Sequence, residues 1–202
     1  MSNQQLTYLA LGDSYTIGEA VEISDRYPVQ LVELLKKDGI DVDHPEIIAT
    51  TGWTTDELMK GIEKAKLSTT FDFVTLLIGV NNQYRKRSTE AYRSNFKRLL
   101  RTAKQFAKGN KKRVFVLSIP DWGVTPYGKD NLEKITPEIN RFNAVNKEES
   151  EAFGVHYIDI TQTSYAALND LSLIASDDLH FSGKLYAQWA EMALSVVKEE
   201  LK

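Results

Sequence analysis

The sequence has no cysteine among its 202 residues, which excludes disulfides, thiolate nucleophiles and thiolate metal ligands. It also has no run close to the roughly 18 apolar residues of a membrane span, so we expect no integral membrane association. The first residues, MSNQQLTYLALG, contain neither a charged n-region nor a long apolar h-region, so no signal peptide is predicted. We expect a cytoplasmic protein, with a trimmed secreted or periplasmic form as the alternative.

Neither sign of charge is in large excess, because 25 Lys and Arg residues stand against 28 Asp and Glu residues, for a net charge of −3. This balance argues against nucleic acid as a partner. Two basic clusters, at 85–87 and 111–113, lie beside predicted element ends, where a solvated face explains them. With 42% hydrophobic residues, the chain is typical of one globular domain over residues 1–202, and its composition does not indicate an oligomeric state.

The chain alternates short apolar runs with longer segments of helical periodicity. Runs such as FVTLLIG and RVFVLSIP lack polar alternation, as expected for strands that are covered on both faces. Helix starts are predicted at a Thr54 to Glu57 capping box, at Thr136-Pro137 and at Ser182. The order of elements predicts an α/β fold, a three-layer α/β/α sandwich around a five-stranded, mostly parallel sheet. The candidate strands are 6–11, 46–49, 73–78, 114–119 and 155–160, and the longest clearly amphipathic segment is 88–108.

Polar groups follow the carboxyl ends of the predicted strands. In open α/β sheets, ligands bind outside this edge, because the loops from several strands converge there. Long irregular stretches also leave the fourth and fifth strands, and loops of such length usually carry function. The polar groups are GDS at 12–14, TTGW at 50–53, GVNN at 79–82 and DDLH at 177–180, and the long stretches are 120–135 and 161–178.

Each polar group has an ordinary structural explanation as well. Ser14 would serve as a helix N-cap, Gly52 as a strand-to-helix turn, and Asn81 as a turn residue. His180 alone would be a structural imidazole, and Asp177 would cap the last helix. Together, however, these segments combine a hydroxyl, an imidazole, a carboxylate and an amide donor at one edge, and this combination favours nucleophilic catalysis.

The segments GDSY, TTGWTT, IGVNN and DDLH resemble, in that order, the four sequence blocks of the SGNH hydrolases, the GDSL-like lipase and acylhydrolase family. The resemblance extends from residue 8 to about residue 183. It implies a flavodoxin-like SGNH hydrolase fold and the hydrolysis of carboxylic esters without a cofactor or a metal. The third block departs from the family pattern, because Asn82 stands where the family often has Asp. This departure affects the supporting role of position 82.

The resemblance also implies roles for individual residues. Ser14 would be the nucleophile, His180 its general base and Asp177 the carboxylate that orients the imidazole. Asp178 is a rival for that carboxylate, but Asp177 lies three residues before His180, a spacing that brings two side chains to one face of a tight turn. The oxyanion donors would be the backbone N–H groups of Ser14 and Gly52 and the side-chain amide of Asn81.

The expected partner is a small-molecule ester. No lid-like apolar helix is evident, which favours a fairly open site and short acyl groups, such as acetyl esters of sugars or small lipolytic substrates. A lysophospholipase or thioesterase within the same family is an alternative, since the fold and these residues do not select among the substrates. Possible substrate contacts are Asp13, Tyr15, Trp53, Asn82, Trp122 and Phe181.

Other classes of function are open as well. A non-catalytic flavodoxin-like binding module would share the architecture, although GDSYTIG has neither the G-x-G-x-x-G nor the P-loop spacing. A metal hydrolase would use Asp41, Asp43 and His44, but no second His lies nearby, and His156 is predicted to be structural. A hydrolase that has lost turnover would bind acylated glycans or lipids, but its sequence would lack one of the residues named above.

Overall fold

In a computed structural model of the chain, which describes residues 5–202, five parallel strands form one sheet. The strand order is β2-β1-β3-β4-β5, which is the doubly wound, flavodoxin-like order with its switch point between β1 and β3. The predicted α/β class and five-stranded parallel sheet are therefore confirmed. The strands are β1 (Tyr8–Gly12), β2 (Glu46–Ala49), β3 (Phe73–Leu77), β4 (Val114–Leu117) and β5 (His156–Ile158).

The helices cover both faces of the sheet. Helix α2 packs against α8, while α5 packs against both α3 and α6, and these two groups form the outer layers of the sandwich. Within residues 5–202, none of the helices is both long and apolar enough to span a bilayer. The helices are α1 (Ser14–Ile17), α2 (Tyr27–Lys37), α3 (Thr55–Ala65), α4 (Val80–Tyr84), α5 (Thr89–Phe106), α6 (Leu132–Phe153), α7 (Thr161–Ser164) and α8 (Gly183–Leu201).

The core lies between these layers. Strands β1, β3 and β4 are buried along their whole length, as their unbroken apolar runs predict for strands with helices on both faces. The edge strand β2 is less covered, with Glu46 exposed and only Ile48 buried in the core. The central strands therefore form a rigid base, and the loops that leave their carboxyl ends are held in place from below.

Two helix starts follow the sequence prediction and one does not. Thr54 and Glu57 form the predicted capping box of α3, and Ser182 is the N-cap of α8. Helix α6, however, begins at Leu132, so that Pro137 lies inside it. The prediction of a start at Thr136 was wrong because Ile135, in the first turn, is buried against the core, and this burial favours helix before the proline despite the lost N–H.

Candidate active site

Three of the four predicted segments line one cavity at the carboxyl edge of the sheet. Ser14 follows β1, Asn81 lies in α4 after β3, and His180 belongs to the loop before α8. All three line one open cavity of about 200 Å³. The long loop after β4 closes one side of this cavity with aromatic rings. The full lining is Ser14, Tyr15, Val80, Asn81, Tyr84, Trp122, Tyr127, Leu179 and His180.

The junction of β1 and α1 presents Ser14 to the cavity. Asp13, rather than Ser14, is the N-cap of α1, and its side chain accepts a hydrogen bond from the backbone N–H of Tyr15 at 3.2 Å. The explanation of Ser14 as an N-cap is therefore wrong. Ser14 is the first helical residue, whose N–H has no partner within a helix, and among the described residues this N–H donates no hydrogen bond. It is available to a ligand in the cavity.

Asp13 is completely buried beneath this junction. Burial raises the pKa of its carboxyl group to about 7, although the nearby backbone N–H groups of Tyr15 and Gly79 oppose the shift. Its second carboxylate oxygen, Oδ2, is buried and has no hydrogen-bond partner within residues 5–202. An uncompensated buried charge is costly, so near neutral pH a substantial fraction of Asp13 is protonated.

The loop that carries His180 is organised by Asp177. One carboxylate oxygen of Asp177 accepts hydrogen bonds from the backbone N–H groups of Leu179, at 3.1 Å, and His180, at 2.9 Å. The other oxygen lies 2.6 Å from Nδ1 of the His180 ring. A carboxylate on Nδ1 fixes the imidazole tautomer and leaves Nε2 for the cavity.

Between the two neighbouring carboxylates, the structure brings Asp177 rather than Asp178 to the imidazole. Asp178 has a left-handed backbone conformation with a φ of +61°, and its carbonyl oxygen accepts a hydrogen bond from the N–H of Tyr127. The left-handed residue turns the chain back, so that His180 faces Asp177. The expected spacing of three residues corresponds to a direct contact.

Opposing effects act on the charge of Asp177. Partial burial raises the pKa of this carboxyl group, but hydrogen bonds from the His180 ring and from the N–H groups of His180 and Leu179 outweigh burial and hold the pKa below its usual range. The Asp177 side chain is 34% exposed, and that of His180 only 10%. The pair therefore keeps a permanent negative charge beside a largely enclosed imidazole.

Asn81 is held at the cavity by a contact with the loop after β2. Its side-chain Nδ2 donates a hydrogen bond to the carbonyl oxygen of Trp53 at 3.0 Å. Because an amide nitrogen carries two protons, one proton remains for a ligand. Gly79 connects β3 directly to α4 with a φ of +134°, a conformation that favours glycine. Any other residue would also clash here, because its Cβ would lie 2.6 Å from the Tyr92 hydroxyl oxygen.

Gly52 lies beside the cavity rather than in its lining. It has a φ of +86°, and its N–H makes no hydrogen bond to other described residues. The carbonyl oxygen of Gly52 accepts a hydrogen bond from Arg85 at 2.6 Å, and the same guanidinium pairs with Glu57 at 3.0 Å. Arg85 thus fastens the Gly52 turn to α3.

Arg85 is a site residue that sequence reasoning missed, because cluster 85–87 was interpreted as a solvated face. Arg85 is exposed, as a solvated face predicts, but it also contacts Gly52 across 33 residues of sequence. The immediate neighbourhood of Asn81 and Asn82 was the signal available. The apolar residues Val80 and Leu179, which also line the cavity, were missed although each adjoins a predicted site residue.

Asn82 has a structural position. It is buried, and its side chain makes two hydrogen bonds to Thr55, accepting from the backbone N–H and donating to Oγ1, both at 3.0 Å. These bonds join α4 to the first turn of α3. An aspartate could accept both bonds if the Thr55 hydroxyl donated instead, which explains how this position accommodates either residue.

The predicted substrate contacts divide into two groups. Tyr15 and Trp122 line the cavity. The other four side chains do not, and their assignment as substrate contacts is corrected. Phe181 is fully buried between the rings of Tyr15 and Trp189. The Trp53 ring lies against α3, where a Cβ on Gly61 would be only 2.2 Å from it. The remaining two, buried in the contacts described above, are Asp13 and Asn82.

An aromatic wall borders the cavity. Trp122 lies between Tyr84 and Tyr127, with ring centroids 5.6 Å and 6.1 Å away. The Trp122 indole N–H donates to the side chain of Gln83 at 2.9 Å, which fixes the ring. Tyr84 and Tyr127 are more than half exposed. Exposed rings at the edge of a concave site suit the recognition of a ligand with both apolar and polar parts.

The residues considered for a metal site lie elsewhere. Asp43 accepts a hydrogen bond from the N–H of His44, and the ring of His44 contacts the carbonyl oxygen of Pro45. His156 stacks on Phe115, with ring centroids 5.1 Å apart. No group of three or more His, Cys, Asp or Glu residues within residues 5–202 is arranged to hold a metal ion.

Comparison with known proteins agrees with this geometry. The model of the GDSL-like lipase/acylhydrolase family matches residues 10–188, while no curated protein sequence matches the chain. A lipase/acylhydrolase from Enterococcus faecalis has 21% identity and a TM-score of 0.78, with 98% of each chain covered. An acetylxylan esterase from Geobacillus stearothermophilus has 17% identity and a TM-score of 0.73 over 98% of this chain and 96% of that one. A psychrotrophic esterase from Pseudoalteromonas sp., inhibited by monoethylphosphonate, has 15% identity and a TM-score of 0.73 over 96% of this chain and 98% of that one.

Proposed function

Because the chain belongs to the GDSL-like lipase/acylhydrolase family, we propose that it is a serine esterase that hydrolyses carboxylic esters through an acyl intermediate on Ser14. The observation that carries this proposal is the shared cavity of Ser14 and His180, in which the imidazole is oriented by Asp177 at 2.6 Å. This is the arrangement that lets a hydroxyl lose its proton as it attacks. Among the residues that line this cavity, Ser14 alone carries an aliphatic hydroxyl, which supports its role as the nucleophile.

The reaction proceeds in two halves. In the first, Ser14 Oγ attacks the acyl carbonyl carbon while Nε2 of His180 takes its proton, and the alcohol then leaves with that proton. In the second, a water molecule attacks the acyl-serine, His180 takes a proton from the water, and the carboxylic acid departs as the proton returns to Ser14. Asp177 stabilises the imidazolium in both halves and stays ionised.

The carbonyl oxygen develops negative charge in both halves and needs donors that are already in place. The proposed donors are the N–H of Ser14, the N–H of Gly52 and the second amide proton of Asn81. Their support is that all three lie at the same edge without a partner for these protons among the described residues. Arg85 would position Gly52 through its carbonyl oxygen.

The size of the cavity favours short acyl groups. Its volume of about 200 Å³ is below the roughly 300–1,000 Å³ of sites for drug-sized ligands. The aromatic wall at its border would contact the alcohol part, and acetyl esters of sugars or small lipolytic esters fit these features. We expect kcat/KM for 4-nitrophenyl esters to fall from acetate through butyrate to octanoate. A maximum at octanoate would contradict the proposed preference.

The decisive experiment is Ser14→Ala. We expect this variant to fold normally and to lose hydrolysis of 4-nitrophenyl acetate by a factor of about 10⁴ or more, because the acyl intermediate cannot form. Ser68→Ala, at an exposed serine outside the cavity, is the matched control and should keep full activity. A fluorophosphonate probe should add its mass to the wild-type protein at Ser14 and leave the Ser14→Ala variant unlabelled. Wild-type turnover by Ser14→Ala would contradict the mechanism.

A further inference from the structure

A groove continues from the cavity past the aromatic wall. A second cavity of about 160 Å³ shares Tyr84 and Trp122 with the first. A third, of about 300 Å³, shares Gln83, Lys86 and Glu138 with the second. Because each cavity shares lining residues with the next, the three lie in one row, a path along the surface that leads away from Ser14 between α4 and α6.

Four cations line this path, and we call them the basic groove: Lys86, Arg87, Lys134 and Arg141. Lys134 and Arg141 are seven residues apart on α6, a spacing that places both on one face of the helix. Lys86, with a left-handed φ of +55°, and Arg87 belong to the turn after α4. The two sides are joined by a hydrogen bond of 2.7 Å from Gln83 to Glu138.

The charge of the basic groove is only partly balanced by carboxylates in the described part of the chain. None of its four cations forms a salt bridge to any residue in the described part of the chain, whereas Arg85, Arg93 and Lys108 all do. Two carboxylates, of Glu90 and Glu138, line the same path. The excess is therefore two positive charges, facing a concave surface where a field of one sign attracts an oppositely charged ligand.

From this arrangement we propose that the basic groove binds an anionic group, a phosphate or a carboxylate, on the alcohol part of the ester. This inference rests on the proposed esterase function. The acyl group would occupy the cavity at Ser14, the alcohol would cross Tyr84 and Trp122, and its anion would lie between Lys86 and Lys134. When the ester C–O bond breaks, the alcohol takes the proton from His180 and leaves with its anionic group.

The test compares acetyl esters of three-carbon alcohols that carry a phosphate, a carboxylate or no charge: 1-acetylglycerol 3-phosphate, 3-acetylglycerate and the neutral 1-acetylglycerol. At low ionic strength we expect kcat/KM for at least one anionic ester to exceed that for the neutral ester about tenfold or more, because several exposed ion pairs each contribute a small factor. Higher salt should reduce this ratio, since these charges are exposed. Preference for the phosphate or for the carboxylate identifies which anion the groove takes.

The double variant Lys86→Glu/Lys134→Glu should bring the ratio close to one. Lys104→Glu/Lys147→Glu is the matched control, because it makes the same charge change at two exposed positions outside the groove and should keep the ratio of the wild-type protein. Equal rates for charged and neutral esters in the wild-type protein, or a preference that survives the double variant, would overturn the inference.

Binding of glycerol 3-phosphate and of glycerate to the Ser14→Ala variant, measured by calorimetry at low and high salt, separates this inference from the esterase proposal. The inference is supported if either compound binds in a salt-sensitive way and if the triple variant Ser14→Ala/Lys86→Glu/Lys134→Glu does not bind it. This outcome would support the anionic subsite even if no ester is hydrolysed. Conversely, the wild-type protein could hydrolyse 4-nitrophenyl acetate while the Ser14→Ala variant binds neither compound. This outcome would support the esterase proposal and refute the anionic subsite.

Discussion

Two aspartates adjoin the candidate active site, and their surroundings shift the pKa of the carboxyl group in opposite directions. In the β1–α1 junction, Asp13 is fully buried and burial raises its pKa to about 7. In the loop before α8, burial acts in the same direction on Asp177, but three hydrogen bonds from the ring and the backbone hold its pKa below the usual range. The depth of burial and the contact with the imidazole, rather than the residue type, decide which carboxyl group remains charged.

This difference divides the site into two parts. The β1–α1 junction, together with Asn81, offers neutral N–H donors and a buried scaffold, whereas the loop of Asp177 and His180 holds the charge and, in the proposed mechanism, moves the proton. Each part depends on its own contacts: Asp13 caps the helix that carries Ser14, and Asp177 binds the imidazole directly. Exchanging each carboxylate for an amide of equal size tests the division.

The largest contrast is expected between Asp177→Asn and Asp13→Asn. Asp177→Asn should lower kcat for 4-nitrophenyl acetate about 10³–10⁴-fold, because an amide does not stabilise the imidazolium and favours the wrong tautomer. It should also shift the acid limb of the pH profile of kcat/KM. Asp13→Asn should change kcat less than tenfold, because Asn is an equally good N-cap.

Circular dichroism of both variants at the assay pH checks that the loss of rate is not a loss of fold. The control Asp178→Asn, next in sequence but not in contact with the imidazole, should keep most of the activity. If Asp13→Asn lowered kcat as far as Asp177→Asn does, the charge of Asp13 would take part in the reaction and the division would be wrong.

A smaller effect is expected for Asn81→Ala, which removes a neutral donor. We expect kcat to fall about 10²–10³-fold with little change in KM, as is typical for one oxyanion donor. The pH profile should keep its shape, since no charge is removed, and this distinguishes Asn81→Ala from Asp177→Asn. Asn82→Ala would weaken the α3–α4 contact and is expected to lower the melting temperature instead. A change in KM alone would make Asn81 a binding residue.

The parts of the molecule that the sequence could predict are those set by local pattern. The buried strands, the capping box of Thr54 and the spacing of Asp177 and His180 all depend on residues close together in the chain. The convergence of Ser14, Asn81 and His180 followed from the rule that parallel strands end at one edge. For the same reason, the cavity could be placed before its shape was known.

The rest depends on contacts between distant segments. Arg85 reaches Gly52 across 33 residues, and nothing in the local sequence distinguishes it from its solvated neighbours. The early start of α6 depends on the burial of Ile135 against other elements, which outweighs the local signal of Pro137. The state of Asp13 depends on its complete burial beneath the β1–α1 junction, and the polar triplet GDS gives no sign of such burial in the sequence.

Asp13→Asn is expected to have the smallest effect on the rate, but it should also change the pH dependence of stability. The pKa of Asp13 is about 7 in the folded protein against 3.8 when exposed. Between these values the folded state keeps a proton that the unfolded state releases, so the contribution of Asp13 is fully present below pH 3.8 and is lost as pH rises through 7. Relative to wild type, Asp13→Asn should therefore gain stability as pH rises, by on the order of 2 kcal/mol between pH 5 and pH 8.

Thermal unfolding at pH 5, 6, 7 and 8 measures this gain. The exposed Asp130→Asn is the control, and its melting temperature should follow that of the wild-type protein across the series. Parallel curves for Asp13→Asn and wild type would mean that the carboxyl group is charged throughout and that its buried oxygen finds a donor in solution. A diverging pair, with kcat preserved, would show that the β1–α1 junction carries a neutral aspartic acid as scaffold, in contrast to the ionised Asp177 across the cavity.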